Sequence, residues 1–237
     1  MVHSIRRHNK KMGGKKLYKL IKPQLKIEPE GGMGRDKFFD LLRARKLLVW
    51  RRRRYMVTTQ SRHRFRVYNN KLAGARIERP HQAWVCDITY MRVTKGFVYL
   101  FLITDAFSRK IVGWKLSNSL GIDSAMEALQ MALRQCPNAK GLIHHSDRGI
   151  QYCSTSYVEK MRSKGIQISM GEAGNCYDNA MAERVNGILK DEYGLEETFA
   201  DEREALKATK QAIQAYNEQR PHWSLNLQIP AKVHDAA

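Results

Sequence analysis

Three carboxylates of this chain could act together. Asp87 lies inside the apolar run WVCDITYM, Asp147 follows directly on LIHHS, and Glu183 lies in NAMAERVNGILKDEY, with 35 residues between the second and the third. Carboxylate oxygens are hard ligands, and three of them without His or Cys partners select Mg2+ or Mn2+ over zinc. Two such ions, roughly 3.5–4 Å apart, can set the attacking and leaving oxygens of a phosphodiester in line and neutralise the charge developing on both. Asp87 is then expected to bridge two Mg2+ ions, with Mn2+ as a substitute, while Asp147 and Glu183 each complete one. One ion would activate the attacking oxygen, and the other would stabilise the departing one. The spacing alone is weak, because 18 acids between residues 81 and 237 produce such gaps by chance.

The elements that must hold these residues follow from hydrophobic period. AWVCDITYM, GFVYLFLITD and SRKIVGWKL are β-type runs, and the turn at 105–110 makes the last two an antiparallel hairpin. IDSAMEALQMALRQ sets Ala125, Met126, Leu129, Met131 and Leu133 in a helical pattern. LIHHS, TSYVEKMRSKG and IQISM then read as strand, helix and strand. The order βββαβαβ, followed by helices, predicts an α/β domain with a mixed five-stranded sheet flanked by helices. In a ribonuclease-H-like sheet of this kind the first and fourth strands are neighbours, so Asp87 and Asp147 converge at one edge of a cleft. Glu183 reaches the same place from a helix packed across it. There Glu183, Asn186 and Lys190 share a polar face, and Met181, Val185, Ile188 and Leu189 form much of the apolar one.

Neighbouring residues take lesser roles. Asp105 also ends a strand, but it opens a turn, where Asp is common for backbone reasons, and it is read as structural. His144 and His145 alternate across a strand, so at most one can face the cleft, and the other is a packed core histidine. Arg148 and Gln151 are candidate substrate contacts. Asn179 and Arg184 can orient Glu183 or touch phosphate, or simply cap and solvate the helix. The glycine-rich segment GEAGNCY at 171–177 is expected to move until DNA binds. DEREALKATKQAIQAYNEQR is a helix with Ala205, Ala208, Ala212, Ile213 and Tyr216 along one side, stopped at Pro221 and suited to packing and assembly rather than catalysis.

Charge is distributed unevenly along the chain. Residues 1–80 hold 24 Lys and Arg against 5 Asp and Glu, whereas residues 81–237 hold 18 of each sign, so the whole net charge of +19 sits in the first third. A basic block on a neutral domain suits a polyanion, DNA or RNA, better than it suits a solubilising tail. Within the block, KKLYKLIKPQL places Leu17, Leu20 and Ile21 on one helical face, and RDKFFDLLRARKLL gives Phe38, Leu41, Leu42 and Arg45 a helical period. The Pro/Gly connection KIEPEGGMG joins them, which suggests half of a helix-turn-helix DNA reader. Expected DNA contacts are Arg35, Lys37, Arg51, Arg52, Arg53, Arg54, Arg62 and Arg64, with Arg148 and Lys190 from the neutral part. The expected division is a basic helical DNA-binding region at 1–68, a linker at 69–82, a catalytic core at 83–200, and a C-terminal helix and tail at 201–237. No apolar run approaches the roughly 20 residues of a membrane span, and the basic N-terminus lacks the apolar stretch of a secretory signal. Cys86, Cys136, Cys153 and Cys176 are spaced for neither a disulfide framework nor a zinc knuckle and fit reduced cytosolic thiols.

The context of the acids is far more specific than their spacing. WVCDITY, LITDAFSRKIVGW, HHSDRGIQY, NAMAERVNGILKDEY and YNEQRPHWSL closely resemble the Asp-Asp-Glu transposases of insertion sequences. More narrowly, they resemble the second-reading-frame (OrfB-like) proteins with a retroviral-integrase-like catalytic core. The resemblance covers residues 34–235, extended by GGKKLY at 13–18. It implies an integrase core with Asp87, Asp147 and Glu183 as the catalytic, metal-binding triad. The implied activity is strand cleavage at an element end, joining of that 3′ end to DNA, and insertion into a target. The resemblance further implies a homo-oligomer on DNA in the bacterial cytoplasm at the nucleoid. In such proteins more residues usually precede the equivalent of GGKKLY, and many act with a first-reading-frame partner. Two other readings stay open: a ribonuclease-H-like nuclease that cuts without joining, and a noncatalytic DNA-binding regulator derived from a transposase.

Overall fold

The structure is a computed structural model that describes residues 1–26, 33–49, 64–172 and 179–236. Three helices open the chain: α1 (Val2–His8), α2 (Gly14–Ile21) and α3 (Arg35–Ala44). Leu17 and Ile21 of α2 pack with Phe38 and Leu42 of α3 around Met12, as the spacing predicts. Leu41 does not join them and stays 42% exposed. Among the described residues this helix packs on one side only, so it buries a stripe narrower than its apolar pattern. The short α1 falls where the sequence offers only Val2 and Ile5 as apolar residues, too few to show a period.

The sheet begins with β1 (Ala83–Val93), β2 (Gly96–Asp105) and β3 (Ile111–Ser117), an antiparallel meander. Helix α4 (Ile122–Gln135) crosses to β4 (Ile143–Ser146), which pairs parallel with β1. The short α5 (Ile150–Cys153) and α6 (Thr155–Ser163) lead to β5 (Gln167–Met170), parallel to β4. Next come α7 (Ala180–Tyr193), β6 (Thr198–Phe199), α8 (Glu202–Gln219) and α9 (Pro230–Asp235). The strand order is β3-β2-β1-β4-β5, and β6 pairs parallel with the far end of β1 through Arg92↔Thr198 and Val93↔Phe199. The sheet therefore has six strands rather than five, because a two-residue strand is too short to carry a period.

Helices cover both faces of the sheet. On one side Trp84 and Phe101 pack against Leu129 of α4 and Tyr157 and Met161 of α6. Helix α4 turns Ala125, Ala128, Leu129 and Ala132 inward and leaves Met126 and Met131 half-buried, because it lies very close to β3. A Cβ on Gly113 would come within 2.3 Å of the Ala128 carbonyl oxygen, so only glycine fits that contact. On the other side Val185, Ile188 and Leu189 of α7 share a core with Ala205, Ala212, Ile213 and Tyr216 of α8. Residues 69–82, expected to form a linker, lie along the sheet: the Lys71 amide donates to Ser169 Oγ at 2.8 Å, and Leu72 and Ile77 pack against Ala83, Val85 and Ala182. No described helix is long and apolar enough to cross a membrane.

Candidate active site

The register of β1 and β4 brings two acids together. Their last paired residues are Cys86 and Ser146, and the next residue on each strand is an aspartate. Adjacent strands lie about 4.8 Å apart, so Asp87 and Asp147 project side by side from neighbouring strands at one level. Asp87 still pairs with Leu102 of β2 and is fixed mid-strand. Asp147 stands where β4 ends, and its Oδ1 accepts from the Gly149 amide at 3.0 Å, turning the chain into α5. Burial first, and then the neighbouring Asp147, raise the Asp87 pKa from 3.8 to about 7. A hydrogen bond from Asn186 Nδ2 to Asp87 Oδ2, 2.7 Å long, works against that rise, and Glu183 adds a smaller push upward.

Helix α7 presents the polar face that its period predicts. Glu183 sits exposed in the first turn, Asn186 is buried one turn on, and Lys190 follows with its Nζ 4.5 Å above the Tyr90 ring. Asn179, at the helix N-cap, is buried and donates to the Cys86 carbonyl at 3.3 Å, beside Asp87. The cleft is lined by Asp87, Ile88, Thr89, Tyr90, Tyr99, Leu120, Asp147, Gly149, Ile150 and Gln151. Among the described residues no three His, Cys, Asp or Glu side chains close on one point as a metal cage. The two aspartates are together, and Glu183 stands exposed at the start of α7.

The donors present nonetheless suit a hard divalent cation. Two neighbouring carboxylates need positive charge, and the buried Oδ1 atoms of Asn179 and Asn186 have no hydrogen-bond partner. An all-oxygen set of this kind matches Mg2+ or Mn2+ chemistry. The floor beneath is neutral. His144 Nε2 lies 3.0 Å from Cys86 Sγ and 2.9 Å from Tyr157 Oη, and burial lowers the His144 pKa to about 3. His145 is equally buried, with Nδ1 2.8 Å from Ser169 Oγ, so both histidines are core residues.

The remaining expected residues scatter. Gln151 lines the cleft, with Nε2 donating to the Leu120 carbonyl at 3.0 Å, whereas Arg148 spends its Nε on the Gly171 carbonyl at 2.9 Å. Arg184 is exposed beside Glu183. Arg35, Lys37 and Arg64 are exposed on the basic region, Arg35 with its Nε 3.0 Å from Asp36. Arg51, Arg52, Arg53, Arg54 and Arg62 lie outside the described residues, as does 173–177 of the glycine-rich segment. Asp105 is structural: its Oδ1 accepts from the amides of Phe107 and Ser108, and its Oδ2 from the His81 amide at 2.7 Å.

Four supporting residues have no sequence-based assignment. Asn217 of α8 gives both halves of its amide to Ile111, accepting from its N–H at 2.9 Å and donating to its C=O at 3.0 Å, which caps the start of edge strand β3. Arg220 grips Glu192 of α7 through Nε at 2.9 Å and Nη2 at 2.8 Å, and Lys16 of α2 reaches the same carboxylate at 3.4 Å. The only signal in the sequence is a polar cluster, YNEQRP, at a helix end, and it names no partner.

Residues 77–176 match a family model described as an integrase core domain, and residues 164–230 match a second with the same description. Over 201 residues the chain is 36% identical to the insertion element IS600 uncharacterized 31 kDa protein of Shigella sonnei, covering 84% of this chain and 74% of that one. It is 38% identical over 159 residues to the transposase for insertion sequence element IS629 of Shigella sonnei, covering 67% of this chain but only 53% of that protein. Among solved structures, the catalytic core domain of HTLV-2 integrase in complex with magnesium aligns with a TM-score of 0.54 at 19% identity. That alignment covers 67% of this chain and 99% of the other, and it shows a shared fold.

Proposed function

We propose that this chain, which belongs to the insertion-sequence transposases with an integrase-like core, cleaves DNA at element ends and joins the freed 3′ ends to target DNA. The observation that carries this reading is the pairing of Asp87 with Asp147 one step past the Cys86↔Ser146 rung, with Asn186 holding Asp87. Asp87, Asp147 and Glu183 would hold two Mg2+ ions, which supply charge neutralisation and lower the pKa of the attacking oxygen's proton. Asn186 fixes the rotamer of Asp87, and the buried floor of Cys86, His144 and Tyr157 keeps water out from below. Lys190, two turns beyond Glu183 and held above Tyr90, would meet a phosphate of the bound DNA. Arg148 is a further DNA contact at the mouth.

The basic region at 1–68 captures DNA with Arg35, Lys37, Arg51, Arg52, Arg53, Arg54, Arg62 and Arg64, and the neutral core at 83–200 acts on it. The linker at 69–82 and the helix and tail from 201 set the two against each other. The working form is a homo-oligomer on DNA in the bacterial cytoplasm, with a first-reading-frame partner where element-end recognition requires one.

The test uses the purified chain, Mg2+ and labelled DNA carrying the element ends, with and without that partner. Cleavage and strand-transfer products are expected from the wild type. Asp87→Asn, Asp147→Asn and Glu183→Gln should each lose both products while retaining DNA binding. Full activity in any one variant would remove that residue from the triad, and cleavage without joining would make the protein a nuclease.

A further inference from the structure

The loop after α8 exposes a tryptophan that no role described so far requires. Trp223 keeps 55% of its surface exposed, the largest exposure of any large hydrophobic side chain described after Met1. The backbone beneath it is tightly made. His222 and Gln228 form an isolated bridge with the His222 amide donating to the Gln228 carbonyl at 2.9 Å, and the Leu227 amide returns to the His222 carbonyl at 2.8 Å. Asn226 and Leu227 lie consecutively in the left-handed region, at φ 51° and 65°. A non-glycine, non-Asn residue held there is strained, and such strain concentrates at ligand clamps.

A lysine lies over this ring. Lys15 Nζ lies 5.9 Å from its centroid. Ser224, next in the loop, accepts from Arg109 Nε at 3.2 Å, and Arg109 Nη1 lies 2.9 Å from Met181 Sδ at the start of α7. Arg184 follows Glu183 directly on that helix and is exposed. At the root of the loop, the largest charge effects on His222 come from Arg220, Lys16, Arg109 and Arg184. Glu192 offsets Arg220 and Lys16, whereas among the described residues Lys15, Arg109 and Arg184 have no ion pair.

An exposed aromatic face with a lysine over it and arginines without an ion pair nearby suits single-strand recognition, in which a base stacks on the ring and the flanking phosphates meet the charges. We propose that Trp223, with Lys15, Arg109 and Arg184, is a second nucleic-acid site that stacks an unpaired base at a DNA end beside Glu183. This site rests on the transposase reading and refines it. It gives the segment after α8 a direct hold on the frayed or single-stranded tail of a DNA end, reached from the active-site helix through Met181 and Arg109.

The experiment measures binding of the full chain to two labelled duplexes of one sequence, one blunt and one with a short single-stranded tail, alongside cleavage in Mg2+. The wild type is expected to favour the tailed duplex by on the order of tenfold. Trp223→Ala and Trp223→Leu should erase that preference, Trp223→Phe should keep most of it, and blunt-duplex binding should be equal in all four proteins. Equal preference in the Ala variant, or none in the wild type while it still binds and cleaves the blunt duplex, overturns the site and leaves the transposase reading standing. A wild type that neither binds nor cleaves any duplex overturns both. A change in sedimentation of the Ala variant with unchanged tailed-duplex affinity assigns Trp223 to a protein contact and overturns the site.

Discussion

Asn186 Nδ2 donates to Asp87 Oδ2 at 2.7 Å and so ties the second turn of α7 to the middle of β1. This bond lowers the Asp87 pKa against burial and the neighbouring Asp147, which both raise it. Asn186→Ala should therefore let the carboxylate rotate and hold its proton more tightly. Groups that orient a metal-binding carboxylate typically matter about 10- to 100-fold. The expected outcome is a cleavage rate reduced by about that factor, with more Mg2+ needed to reach half-maximal rate. Asn186→Gln, which keeps the amide, should recover part of the loss. Single-turnover cleavage across a Mg2+ series checks this, and a wild-type Mg2+ dependence in the Ala variant would show the bond to be incidental.

The raised Asp87 pKa also predicts how the metal-free protein responds to pH. Between its ordinary value of 3.8 and about 7, the folded chain holds a proton on Asp87 that the unfolded chain has released. Stability contributed by this group is therefore present below pH 4, falls as the pH rises, and levels off above pH 7. The full penalty on the ionised form is up to roughly 4 kcal/mol. Asp87→Asn removes it, so in EDTA the variant should melt several degrees above the wild type at pH 8 and close to it at pH 4. Equal differences at both values would mean that the carboxylate charge is not the source.

How much of this could be read from the sequence depended on whether a contact leaves a local pattern. The long strands and amphipathic helices did: Asp87 within WVCDITYM, Asp147 at the end of LIHHS, and the 183/186/190 face all took the positions that their periods imply. The two-residue β6 and the short α1 carry too few residues to show a period. Contacts that depend on a distant partner were also illegible. Nothing near Asn217 indicates that its amide answers Ile111, 106 residues away, and nothing near Glu192 indicates Lys16 or Arg220. Leu41 shows the opposite failure, since its period promised burial and no neighbour among the described residues provides it.

Gly113 offers a test of how closely α4 must approach the sheet. A methyl group there would meet the Ala128 carbonyl oxygen at 2.3 Å and the Ala132 Cβ at 2.9 Å, and backbone cannot swing aside as a long side chain can. Gly113→Ala should push α4 off β3 and cost about 1–3 kcal/mol, the usual range for overpacking. Urea unfolding should show a lower midpoint with an unchanged slope. An unchanged midpoint would mean that the helix yields freely.

Glu192 links the basic helix α2 to α7 and α8. Burial pushes its pKa up, but Arg220 and Lys16 outweigh burial and hold it below the usual range, while burial lowers Lys16 to about 8. Its backbone takes part as well, since the Lys11 amide donates to the Glu192 carbonyl at 3.0 Å. Glu192→Gln would leave Arg220 and Lys16 in a half-buried site without their counter-charge, a change that costs about 3–5 kcal/mol for a buried pair. The cost should divide unevenly. Arg220 makes two hydrogen bonds of 2.8–2.9 Å at the end of α8, whereas Lys16 makes one at 3.4 Å from α2. Lys16→Met, which removes the charge and keeps an apolar stem, should therefore lower the melting temperature less than Glu192→Gln. In hydrogen exchange it should loosen the amides of α1 and α2 while those of β1 and β2 keep their protection. Loss of protection in the strands of the Met variant would instead mean that the basic helices and the core unfold as one unit, with Lys16 part of a single cooperative structure rather than a clasp between two.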